Sequence, residues 1–175
     1  MNYSQINKFD VANGSGVRVS IFTTGCAGFE SGQHCEGCFN SEIWDFKSGK
    51  LFDSNVKDEL FDYLSNPHIK GLSVLGGEPL QQGEELLDLL KEVREVFPHK
   101  DIWLWTGYYI DGRDHLNAIQ RQTLSLCDYV VDGRFIEAQK DVTLRFRGSL
   151  NQTIWERNKE TNEFVKSQLN NNDIK

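Results

Sequence analysis

Apolar and polar positions along the chain alternate between two periods. From Val17 to Thr24 (VRVSIFTT) the residues are β-branched and alternating, which predicts a strand running into Gly25 and Cys26. After a cysteine-bearing loop the period lengthens. Asp53 or Ser54 is placed to cap a helix whose Val56, Leu60, Phe61 and Leu64 fall on one face, and which stops before Asn66 and Pro67. A second strand at Leu72–Leu75 ends in the turn sequence Gly76, Gly77, Glu78 and Pro79, and Leu86, Leu87, Leu90, Val93 and Phe97 mark a second amphipathic helix. Asp101–Thr106 (DIWLWT) predicts a third strand stopped by Gly107, Leu116, Ile119 and Leu126 a weaker third helix, and Tyr129–Asp132 a fourth strand closed by Gly133.

Strands alternating with helices at this spacing imply βαβ units and a mainly parallel sheet covered by helices. A closed eight-stranded barrel needs about 250 residues. With 175 residues, an open sheet or partial barrel is expected: one α/β domain over residues 1–165, with a polar, Asn-rich tail over 166–175. Such sheets bind ligands at the carboxyl ends of their strands. There the cysteine loop, Gly76–Pro79, Thr106–Tyr108 and Asp132–Arg134 all fall.

Composition narrows the partners. The net charge of −7 argues against nucleic acid, whose backbone is gripped by clustered Lys and Arg. No apolar run approaches the roughly 20 residues of a membrane span. The first ten residues, MNYSQINKFD, have no apolar leader, so a reducing cytoplasmic setting is expected.

The four cysteines are unevenly placed: Cys26, Cys35 and Cys38 share one loop, and Cys127 stands far off. Three thiolates do not close a structural zinc site, which takes four protein ligands. They can hold three irons of a [4Fe–4S] cube and leave the fourth iron open to a ligand. Gly25, Gly28, Gly32 and Gly37 give the loop freedom to wrap such a cluster. Cys127 reads as a buried small apolar residue, and Trp103 and Trp105 as core. His34 reads as a solvent-exposed loop histidine.

The sequence resembles the radical S-adenosylmethionine (SAM) family, and within it the glycyl-radical-enzyme activases of anaerobic ribonucleoside-triphosphate reductase. The likeness spans nearly the whole chain. It is carried by Met1–Tyr3, Asn13–Arg18 (NGSGVR), Gly25–Cys26, Cys35–Asn40 (CEGCFN) with Trp44, Gly76–Leu80 (GGEPL), Lys100–Tyr108 (KDIWLWTGY), Val131–Phe135 (VDGRF) and Arg147–Gln152 (RGSLNQ). The resemblance implies a partial β/α barrel, with Cys26, Cys35 and Cys38 as ligands of a [4Fe–4S] cluster. It implies SAM bound by Gly37, Cys38, Phe39, Gly76, Gly77, Glu78 and Pro79, with Glu78 a supporting acceptor. An electron from a flavodoxin-like donor would cleave SAM to methionine and a 5′-deoxyadenosyl radical, which takes a hydrogen from one glycine of the large reductase subunit.

One segment departs from the family pattern. Eight residues, Ala27–His34, separate the first two cysteines where the family has three, and Gly37 stands where many relatives carry an aromatic residue. Thr106–Tyr108 and Asp132 are candidate pocket residues, and Arg145, Arg147, Asn151 and Gln152 are candidates to face a partner or close the pocket. Alternative readings are a small-molecule radical SAM enzyme such as a carboxy-deazaguanine synthase, an activase of another glycyl-radical enzyme, and a noncatalytic zinc or iron–sulfur module using Cys127 as fourth ligand.

Overall fold

The computed structural model describes residues 1–29, 32–112 and 115–171. One eight-stranded sheet carries three helices. In chain order the elements are β1 (Asn2–Asp10), β2 (Arg18–Thr23), β3 (Lys50–Leu51), α1 (Ser54–Ser65), β4 (Gly71–Gly76), α2 (Glu84–Val96), β5 (Asp101–Trp105), α3 (Ala118–Ser125), β6 (Tyr129–Asp132), β7 (Thr153–Arg157) and β8 (Phe164–Lys166). Asp53 caps α1 by accepting from the Val56 amide at 3.0 Å, and Asn117 and Gln120 form a reciprocal capping box on α3.

The sheet order is β3-β1-β2-β4-β5-β6-β7-β8. The four strands legible in the sequence form the parallel centre, with β2 on β4 from Arg18↔Gly71 to Thr23↔Gly76. The expected mainly parallel sheet is corrected at both margins: β1 and β3 on one side, and β7 and β8 on the other, pair antiparallel, so the sheet is mixed and open. The margins escaped the pattern because their exposed faces are polar. In β1, Ser4, Asn7 and Lys8 interrupt the alternation, and in β7 only Ile154 is fully buried. Of the expected tail, Lys166 ends β8, Gln168–Asn171 form a short 3-10 turn, and residues 172–175 lie outside the described part.

Strand order rises monotonically through the parallel centre, so successive crossovers advance in one direction and lay their helices on one face. There Val19, Ile21, Leu72, Val74, Ile102, Leu104 and Val130 pack against Leu60 and Leu64 of α1, Leu86, Leu90 and Val93 of α2, and Leu124 of α3. Among the described residues the opposite face carries no α-helix, only the Gln168–Asn171 turn, whose Leu169 packs on Trp103, Val131 and Ile154. Trp103 is fully buried there, stacked on Tyr129 with ring centres 4.5 Å apart and met edge-on by Phe146, whereas Trp105 is only half-buried and donates its indole N–H to the Phe146 carbonyl at 2.7 Å.

Arg18 fixes the chain to this helix-free face. Its guanidinium is buried against the ring of Trp103, pairs with Asp101 at 2.5 Å, and donates to the Ser73 hydroxyl at 2.7 Å, the Leu72 carbonyl at 2.9 Å and the Ser15 carbonyl at 3.2 Å. Ser73 in turn donates to the carbonyl of Asn13 at 2.6 Å. The loop between β1 and β2 is thereby pinned across the sheet. Removing one partner of a buried pair strands the other. Arg18→Met is expected to lower stability by roughly 3–5 kcal/mol, read as a shift in urea midpoint; a shift equivalent to under about 1 kcal/mol contradicts the brace.

Candidate iron–sulfur site

Where β2, β4, β5 and β6 end, the helix-free face opens into a cavity of about 530 Å³. Phe22, Leu75, Trp105 and Phe146 line its sheet side, Ala12 and Asn13 one margin, and Gly133, Phe135, Arg147, Gly148 and Gln152 the other. Its remaining wall is the cysteine loop. Cys26 leaves the end of β2, and the loop returns alongside it: the Gly25 and Cys26 amides donate to the carbonyls of Ile43 and Trp44, each at 2.8 Å. The Asn40 side-chain Nδ2 donates to the Gly76 carbonyl at 3.2 Å, tying the returning arm to the end of β4.

Two backbone bonds lock the ends of β2 and β4 together, Gly77 N–H to the Thr23 carbonyl at 2.9 Å and Glu78 N–H to the Gly25 carbonyl at 2.8 Å. A Cβ on Gly77 would overlap the Gly25 backbone, so only glycine permits this approach. Glu78 then turns inward. Its buried carboxylate accepts from the Leu80 amide at 3.0 Å, the Thr106 hydroxyl at 2.7 Å and the Gly107 amide at 2.8 Å, which brings in the end of β5.

Cys26, Cys35, Cys38, Phe39, Gly76, Gly77 and Glu78, all expected at the site, line this one cavity. Gly37 and Pro79 do not: Gly37 packs against the Glu137 carboxylate, and Pro79 is buried at the start of a 3-10 turn. Phe39 is 59% exposed and tilts against Phe135 beneath Lys140. Thr106 lines the cavity, whereas Asp132 is buried behind it, accepting from the Ile110 amide at 2.8 Å. His34, expected to be solvent-exposed, is a loop residue that is only partly exposed. Its ring stacks on Trp44 at 3.9 Å, and its Nε2 lies 2.7 Å from the Cys26 carbonyl.

All four cysteines are free thiols. Burial pushes the Cys26 thiol up to about 11; a hydrogen bond from the Gly28 backbone opposes this, and the charges of Glu78, Cys35 and Cys38 add to it. Three thiols line one cavity, and once deprotonated an all-thiolate donor set suits soft metals and iron–sulfur clusters. Among the described residues no three His, Cys, Asp or Glu side chains are already drawn into a tight metal-binding group. Cys127 belongs elsewhere: it precedes β6, at the amino end of the parallel strands, where its buried thiol is pushed up to about 12 and donates to the Thr123 carbonyl at 3.4 Å.

Sequence reasoning overlooked Phe29 and Gln81. Gln81 accepts from the Ala27 amide at 2.7 Å and donates to the Gly28 carbonyl and the Tyr108 hydroxyl, both at 3.0 Å, clamping the first half of the insertion. Glu30 and Ser31 of that insertion lie outside the described residues. The available signal was an aromatic residue directly after Gly28 in a loop between two candidate ligands.

An open α/β sheet whose strand ends collect three thiols around one cavity is the frame of an iron–sulfur protein, and the chain matches the family model described as a 4Fe-4S single cluster domain over residues 12–155. It is 39% identical over 158 residues to the anaerobic ribonucleoside-triphosphate reductase-activating protein of Escherichia coli K12, covering 88% of this chain and 97% of that one. The proteins of that name from Haemophilus influenzae (40% over 158 residues; 88% and 97%) and Enterobacteria phage T4 (40% over 157; 89% and 94%) are similarly close. The chain belongs to this family of activating proteins.

Burial, opposed by its three hydrogen bonds, pushes the Glu78 carboxyl from its ordinary 4.5 up to about 7. An acid whose folded pKa lies above its unfolded one is stabilising while protonated. That contribution falls away as pH rises from 4.5 through 7. The metal-free protein is expected to lose about 3 kcal/mol from this group across that window. In Glu78→Gln the stability–pH curve should flatten there, and an unchanged slope contradicts the assignment.

Proposed function

We propose that this protein activates anaerobic ribonucleoside-triphosphate reductase as a radical SAM enzyme, generating a glycyl radical on the large reductase subunit. The observation that carries the reading is that Cys26, Cys35 and Cys38, dispersed along a loop lengthened by its insertion, open onto one cavity beside Gly76, Gly77 and Glu78. Three thiolates hold three irons of a [4Fe–4S] cluster and leave the fourth for SAM. When bound, the cluster and SAM supply the reductive cleavage that yields methionine and a 5′-deoxyadenosyl radical, the species that takes hydrogen from glycine.

The chain's own residues position and exclude. Gly76 and Gly77 bring bare backbone to the cavity wall, where the amino group of SAM can meet it. Glu78, engaged by three donors, braces the strand ends and transfers no proton. Phe22, Leu75, Trp105 and Phe146 keep water from the sheet side. The monotonic strand order and single helix layer support reading the open sheet as a partial barrel of radical SAM type. A low-potential donor such as flavodoxin and a cytoplasmic setting complete the proposal. The four-cysteine module is disfavoured because Cys127 lies at the opposite end of β6, a strand that spans about 13 Å.

The test is anaerobic reconstitution with iron and sulfide, reduction, and addition of SAM with the reductase, reading 5′-deoxyadenosine and the glycyl doublet by EPR. Cys26→Ala, Cys35→Ala and Cys38→Ala should each abolish both signals, and Cys127→Ala should keep them. Wild-type protein that forms no deoxyadenosine contradicts the enzyme reading. Deoxyadenosine without the doublet contradicts the partner.

A further inference from the structure

The insertion between the first two cysteines carries one ring into the cavity. Phe29 lies three residues beyond Cys26, so its Cα is at most about 10 Å from that of a proposed ligand, and it lines the same cavity as the three thiols. Its setting is built from several sides. The tip of the ring rests against Gly107, where any Cβ would overlap it; Tyr108 meets it edge-on at 5.2 Å; and the Arg134 guanidinium lies 5.2 Å from the ring centre.

Both halves of the insertion are fastened as well. Gln81 holds Ala27 and Gly28, while Arg134 donates to the carbonyls of Gln33 at 3.2 Å and His34 at 3.0 Å. Bonds from Phe29 N–H to the Gln33 carbonyl at 3.0 Å and from Gly32 N–H to the Phe29 carbonyl at 2.9 Å join the two described arms of the insertion. A bulge serving only to lengthen the loop would need none of this.

We infer that Phe29 is the adenine-contacting residue of this site, and that Arg134 is its positioning residue. This rests on the SAM reading above. The thiols and the Gly76–Glu78 backbone suit the methionine part of the ligand, which leaves the purine to the aromatic lining of the cavity. Several of the other rings there are otherwise engaged, and Phe22 is held on β2 in the sheet. Trp105 and Phe146 are joined by their hydrogen bond and pack about Trp103, and Phe39 faces outward onto Phe135. Phe29 is carried by the ligand loop itself, three residues after Cys26, so a group bound on the thiols comes up beside it. Aromatic rings favour offset or edge-on contact with other π systems beyond simple burial.

The experiment is equilibrium binding of SAM and of methionine to protein reconstituted with iron and sulfide, comparing wild type, Phe29→Leu, Phe29→Tyr and Arg134→Ala. Leucine keeps apolar bulk and removes the ring. Phe29→Leu should weaken SAM binding roughly three- to tenfold with methionine binding and iron content unchanged. Phe29→Tyr should stay within about twofold of wild type, and Arg134→Ala should show the SAM-only loss in weaker form. The inference is overturned if Phe29→Leu binds SAM as wild type does, if it loses SAM and methionine equally, or if it loses iron. Wild-type protein that binds methionine and SAM equally also overturns it, whereas wild-type protein that holds iron but binds neither overturns the SAM reading itself.

Discussion

Glu78 sits where three strand ends converge, and the site depends on its burial. Its backbone N–H holds the end of β2 through Gly25, and its carboxylate holds the end of β5 through Thr106 and Gly107 and the turn after β4 through Leu80. A carboxylate without water is costly, and the three donors offset part of that cost while burial still raises the carboxyl to about 7. The arrangement explains a Gly-Gly-Glu-Pro sequence better than turn propensity does: Gly77 allows β2 and β4 to close on each other, Glu78 joins them to β5, and Pro79 starts the next turn. Without that knot, the strand ends that frame the cavity would be three independent loops.

The cavity itself follows from topology. Because the parallel strands run in one spatial direction, their helices collect on one face, and among the described residues the other face is left without an α-helix. Arg18 and the tryptophan stack fill its lower part, so space remains only at the strand ends. Thiols delivered there are partly desolvated, which for Cys26 favours the neutral form until a cationic group arrives. The same burial that makes bare thiolate unfavourable makes bound thiolate hard to displace.

Much of the fold was legible because the parallel strands are buried on both faces and the helices on one, so each leaves a period in the sequence. The marginal strands leave little trace. Tyr3 and Ile6 in β1 stand among polar neighbours, and β8 is three residues long. At the site, the cysteines and Gly76–Glu78 could be read from spacing and residue type. Phe29, Gln81 and the stacking of His34 on Trp44 could not, since each depends on contacts between segments ten to a hundred residues apart. Trp105 looked like core because its strand is apolar throughout, but the strand's last residue faces the cavity rather than a helix.

On the proposed reading, three thiolates of one loop hold a cluster with one iron left for SAM. Mössbauer spectroscopy of protein reconstituted with ⁵⁷Fe, recorded with and without SAM, tests it most directly. One iron of the four should change its isomer shift and quadrupole splitting on adding SAM while three stay fixed. A spectrum with four equivalent irons that ignores SAM would contradict the claim.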